Sequence, residues 1–134
     1  MVKTAILWPA IAQVALIVVA YLYLFRARLT AIGSGAVSST DFAPGQEPEG
    51  SALGRRHLAN QFELPMLFFI VIGFLFLVDG VGILEVAVAW LFVATRVLHS
   101  IGSLNGPLTL RHFSFFAGFI LVVALWVDLA LHIL

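Results

Sequence analysis

Four long apolar stretches dominate this 134-residue chain, at about Ala5–Phe25, Leu58–Val78, Ile83–Ile101 and Leu110–His132. Each is close to the roughly 20 residues with which an α-helix crosses a hydrocarbon core about 30 Å thick. Lipid offers no hydrogen bonds, so a crossing segment must satisfy its own backbone, as a helix does. The expected fold is all-α: an integral membrane four-helix bundle forming one domain over residues 1–134, with a polar loop at about 26–56. Composition agrees, at 62% hydrophobic and 10% charged. A soluble domain is about half apolar and a quarter charged, so a water-soluble globule is excluded. Seven basic residues balance seven acidic ones, which leaves no basic stripe to follow a phosphate backbone and removes nucleic acid as a partner. With no cysteine, any sulfur chemistry must come from a bound molecule.

The first stretch follows Lys3 as a secretory signal would. Its apolar part exceeds the roughly 7–15 residues of a signal core, and Arg26 and Arg28 follow it where small residues would precede a cleavage site. It is expected to be retained. Orientation follows from the arginines, because short cytoplasmic segments carry the excess of Lys and Arg. Arg26, Arg28, Arg55 and Arg56 flank the first connection and Arg111 ends the third, whereas the second, near Asp79-Gly80, has none. The first and third connections are therefore expected in the cytoplasm and both termini on the far side, with Lys3 alone weighing the other way. The first connection carries Gly33-Ser34-Gly35, Ser38-Ser39-Thr40 and Pro44-Gly45-Gln46-Glu47-Pro48-Glu49-Gly50. Such clusters favour irregular chain, so a loop is expected there and not a further domain.

Polar groups inside the apolar stretches are costly and mark function by default. Arg56, Asn60 and Glu63 fall within about 60° of arc at 100° per residue, one polar stripe two turns long. Leu67 ends the stripe, which makes it a pocket floor and not a pore lining. Pro65 lacks an N–H to give the Gln61 carbonyl and should bend the helix near Glu63. On the third stretch Arg96, His99, Ser100 and Ser103 cluster at helical spacing, and Arg111 opens the fourth with Ser114 following. With Arg26 and Arg28 at the end of the first, every helix offers a donor at one depth, which points to an anionic ligand at the cytoplasmic edge of the hydrocarbon. Plainer roles also fit: Arg26, Arg28, Arg55 and Arg111 suit interfacial anchors, and Glu63 with Arg96 suits a structural ion pair. The spacing of His57, His112 and His132 supports no metal site.

The string Arg55-Arg56-His57-Leu58-Ala59-Asn60-Gln61-Phe62-Glu63-Leu64-Pro65, followed by Arg96-Val97-Leu98-His99-Ser100, resembles the MAPEG family, the membrane-associated proteins in eicosanoid and glutathione metabolism, and in particular its short proteobacterial members. The resemblance implies a bacterial inner-membrane homotrimer with glutathione, the thiol co-substrate, bound between adjacent subunits near the cytoplasmic face. Position by position, it implies that Arg56, Asn60, Glu63 and His99 hold the tripeptide. It further implies that Arg26 or Arg28 meets a glutathione carboxylate and that Arg111 stabilises the thiolate as the catalytic group. Arg96 and Ser103 complete the expected binding set. Ser103 stands where the eicosanoid enzymes have a tyrosine, Phe115 near a second such position, and Ala59 in place of a basic residue found in some members.

The function expected on these grounds is a glutathione-dependent transferase or peroxidase acting on lipophilic electrophiles, with self and membrane lipid as its other partners. The polar thiol donor would arrive from the cytoplasm and the apolar acceptor from the bilayer, and holding both lowers the entropic barrier. The alternative is a non-catalytic membrane protein whose polar stripes only join helices and subunits. A transporter fits least, since the stripe leaves no path across the membrane.

Overall fold

The computed structural model describes residues 2–38, 42–43 and 45–134. Ser39, Thr40, Asp41 and Pro44 of the expected loop lie outside the described residues. The described chain is all-helical: α1 Val2–Ala5, α2 Leu7–Gly33, α3 Glu49–Asn60, α4 Leu64–Leu77, α5 Ile83–Leu104 and α6 Leu108–His132. Four helices are long and apolar enough to cross a membrane, over Lys3–Gly33, Glu49–Leu77, Ile83–Leu104 and Leu108–His132. The protein is an integral membrane protein of four spans, α3 and α4 together making the second.

The helices run further than the apolar stretches. The first passes Phe25 and carries Arg26 and Arg28 to Gly33, where Gly35 at φ +73° turns the chain and its N–H donates to the Ile32 carbonyl at 3.0 Å. The second span begins at Glu49, directly after Pro48. An apolar run records the depth of hydrocarbon, whereas a helix continues into the headgroup layer for as long as its residues favour it. The irregular loop is shorter than 26–56 as a result, and Arg26, Arg28, Arg55 and Arg56 all lie on helix.

The second span breaks in its middle. α3 ends at Asn60, Gln61 to Glu63 form a turn, and α4 restarts at Leu64 with Pro65 in its first turn. The amides of Gln61 and Phe62 bond three residues back, to Leu58 and Ala59 at 3.0 Å. The missing proline N–H is the local cause. α4 is apolar throughout and packs its Phe68 face to face with Phe92 of α5, centroids 4.2 Å apart. Around this pair Val71, Leu75, Ala89, Val122 and Leu125 form the core. α4 ends in a C-cap where Asp79 takes φ 59° and the Gly80 amide donates to the Leu75 carbonyl at 2.9 Å. The Asp79 carboxylate is ion-paired with Lys3 at this turn end of the bundle.

α5 and α6 come close at Gly102 and Gly118, as membrane helices do at small residues. A Cβ at Gly102 would sit 2.7 Å from the Arg111 amide nitrogen. That contact fixes where the fourth span begins, and with it the position of Arg111.

Candidate functional site

At the end of the bundle that carries the long loop, a cavity of about 620 Å³ opens between the second, third and fourth spans. α3 brings Arg55, Arg56, His57 and Asn60 to its wall, and the turn adds Glu63. The expected Arg56, Asn60 and Glu63 stripe thus meets one space. α5 contributes His99 and Ser103, and α6 contributes Arg111 and Phe115.

His99 and Ser103, one helical turn apart, are joined to the start of α6. His99 donates from Nδ1 to the Arg111 carbonyl at 3.1 Å, which leaves Nε2 to accept from the Ser103 hydroxyl at 3.3 Å. Ser114 donates to the Leu110 carbonyl at 2.6 Å. The first turn of α6 is therefore held by a side chain from α5 as well as by its own, and Arg111 stands on a fixed base.

Arg96 lies one turn below His99 on α5 and is not part of the cavity wall. Among the described residues it is the largest fully buried side chain, 0% exposed, and none of its three guanidinium nitrogens has a hydrogen-bond partner there. Glu63, His57 and His99 are close enough to feel its charge. The Glu63–Arg96 ion pair that the spacing allowed is not made: among the described residues, the pairs within 4.0 Å are Lys3–Asp79, Arg28–Glu47 and Arg55–Glu47.

Arg26 and Arg28 do not line the cavity. Arg28 is bound through Nε and Nη2 to Glu47 at 3.2 and 3.1 Å, and its guanidinium stacks over the Phe42 ring at 4.8 Å. Arg55 takes the other carboxylate oxygen of Glu47 at 2.7 Å. The Glu47 side chain is 1% exposed. Burial alone would raise its pKa, but the hydrogen bonds from Arg55 and Arg28, with Ser51 contributing, outweigh burial and hold the carboxyl below its ordinary value. Glu47 thus ties the end of the first span to the start of the second, with Arg55 linking this clamp to the cavity. Nothing in the sequence marked Glu47, which sits in a Gly- and Pro-rich loop with no helical period. The first span instead meets the polar region through Gln13, fully buried, whose amide nitrogen donates to Gln61 Oε1 at 3.2 Å. A single amide within an apolar stretch is the signal that could have found it.

The cavity gathers guanidinium, imidazole, amide, hydroxyl and carboxylate groups where the polar ends of three spans meet, with a fully buried cation beneath. Its lining is cationic, with Arg55, Arg56 and Arg111 against Glu63, and has an apolar edge at Phe115. A model of the MAPEG family matches residues 6–131, nearly the whole chain. No curated protein and no solved structure matches it.

Proposed function

The chain belongs to the MAPEG family, which includes glutathione transferases and peroxidases as well as non-catalytic members, and we propose that its cavity binds glutathione for transfer to lipophilic electrophiles. The cavity's lining carries this reading: the guanidinium groups of Arg55, Arg56 and Arg111 share it with one carboxylate, Glu63. Arg96, buried behind the wall without an acceptor among the described residues, adds a positive charge that favours a carboxylate-bearing ligand through its field. Arg56, Asn60 and His99 line the same space and offer further donors. Glu63 offers an acceptor for the ligand's ammonium group.

In the proposed reaction, the Arg111 guanidinium favours the charged form of the glutathione sulfur, and the thiol proton passes to solvent. The thiolate electron pair then forms the new bond to the electrophile, whose leaving group departs with the pair from the broken bond. The family resemblance supplies the rest of the proposal: a homotrimer in the bacterial inner membrane, its first and third connections cytoplasmic and the ligand between adjacent copies. Arg28 would meet a ligand carboxylate only by leaving or sharing Glu47.

The test is conjugation of glutathione to chlorodinitrobenzene by purified protein. Arg111→Ser should lower turnover by at least about 100-fold with assembly unchanged, the scale of losing one transition-state donor. Unchanged turnover would refute the role. A second reading, in which the polar groups only join helices, is favoured by the buried Gln13–Gln61 bond. A thermal scan separates the two, because glutathione raises the melting temperature only if it binds the folded protein.

A further inference from the structure

His57 is 3% exposed and stands in the cavity wall, yet its Nδ1 has no hydrogen-bond partner among the described residues. Its tautomer follows from its neighbours. Gln61 Nε2 lies 3.5 Å from His57 Nε2, and an amide nitrogen only donates, so His57 Nε2 accepts and the ring proton sits on Nδ1. Gln61 is held in that sense from the first span, since its carbonyl oxygen is taken by the amide of Gln13 at 3.2 Å. The ring stacked on His57, that of His99 at 6.4 Å, offers no acceptor. Its two nitrogens are already engaged by the Arg111 carbonyl and the Ser103 hydroxyl. The His57 Nδ1–H is thus a buried donor just behind the cavity wall, with nothing among the described residues to receive it. Leaving such a group bare is costly, and a ligand oxygen removes that cost.

We propose that His57 is a ligand-binding residue, donating from Nδ1 to a carboxylate or peptide carbonyl oxygen of the molecule in this cavity, and that the Gln13–Gln61 amide pair sets the tautomer that lets it do so. The inference rests on the glutathione reading and deepens it: one contact comes from an uncharged imidazole, and the first span acts on the site through an amide chain. Arg56 and Asn60 sit on the same helix within one turn, so a single extended ligand reaches all three.

The experiment titrates glutathione into the purified full chain in detergent, comparing wild type with His57→Phe, His57→Asn and Gln61→Leu. Phenylalanine keeps the stacked ring and removes the donor, and binding should weaken about tenfold, the scale of one buried hydrogen bond. Asparagine carries its nitrogen on Cγ, as histidine carries Nδ1, and should restore affinity to within about threefold of wild type. Gln61→Leu should weaken binding by a smaller factor, with ¹⁵N spectra of histidine-labelled protein changing from a pure Nδ1–H tautomer to a mixture. Wild-type affinity in His57→Phe, asparagine no better than phenylalanine, or an Nε2–H tautomer in the wild type would each overturn the proposal. If the wild type binds no glutathione, the reading beneath fails and this inference with it. Failure confined to the His57 variants sinks the inference alone.

Discussion

The two ends of the bundle solve the same problem differently. Around Phe68 and Phe92 the helices meet through apolar side chains that leave nothing unsatisfied. One or two turns away, at the loop end, Gln13, Gln61, His57, Arg96, His99 and Ser114 are all buried. Lipid is as apolar as leucine, so the first kind of contact holds by shape and dispersion. The second kind must be satisfied group by group, and here it is not: Arg96 and His57 keep donors with no acceptor. The apolar half is complete as it stands, while the polar half keeps buried donors without an acceptor among the described residues.

That contrast has measurable consequences. The largest concerns the apolar half: Phe68→Ala should cost about 3–5 kcal/mol in unfolding measured in detergent, the range for emptying a packed aromatic site, and by the same amount with or without glutathione. A loss that depends on ligand would blur the division between the halves. Arg96→Leu should do the opposite. Removing an uncompensated buried cation leaves the ligand-free protein as stable or more so. At a concentration 100 times Kd, it should also abolish the stabilisation of about 2.7 kcal/mol that glutathione gives the wild type. A ligand-free protein much weakened by this change would mean that Arg96 is satisfied within the fold.

Within the polar half, one turn beyond His99 on α5, lies the Gly102 contact with the first turn of α6. Gly102→Ala would press a methyl against the Arg111 backbone, 2.7 Å from its nitrogen. It should cost about 1–3 kcal/mol in thermal unfolding and lower conjugation rate more than glutathione affinity, since it moves Arg111 and not α3. The smallest effect belongs to the Glu47 clamp, where the exposure of Arg55 screens the interaction to about 1 kcal/mol or less. Because the folded carboxyl lies below its ordinary value of 4.5, its contribution is full above that pH and fades as the pH falls through the lowered value. Glu47→Gln should flatten this acid limb in a pH series of melting temperatures. An unchanged limb would mean that other carboxylates set the acid response.

Much of this was legible in the residue order. The spans follow from runs of apolar residues, the stripe of Arg56, Asn60 and Glu63 from helical spacing, and the break after Asn60 from Pro65. Each depends on neighbours a few positions away, where backbone geometry is the only mediator. What the arginines do was not legible. Arg28 and Arg96 look alike as cations near the end of an apolar run, yet one is held by Glu47 and the other has no partner among the described residues. Likewise His57 and His99 carry the same ring, and their donors are directed by Gln61 and by the Arg111 carbonyl.

Local order in the chain settles which segments cross the bilayer and which face of each is polar, because a helix repeats its geometry over every turn. Folding in three dimensions settles which polar groups are spoken for and which are left without an acceptor among the described residues. A hydrogen bond needs its partner within about 3 Å, and here the partners come from opposite parts of the chain, as Gln13 and Gln61 do at 48 residues' separation.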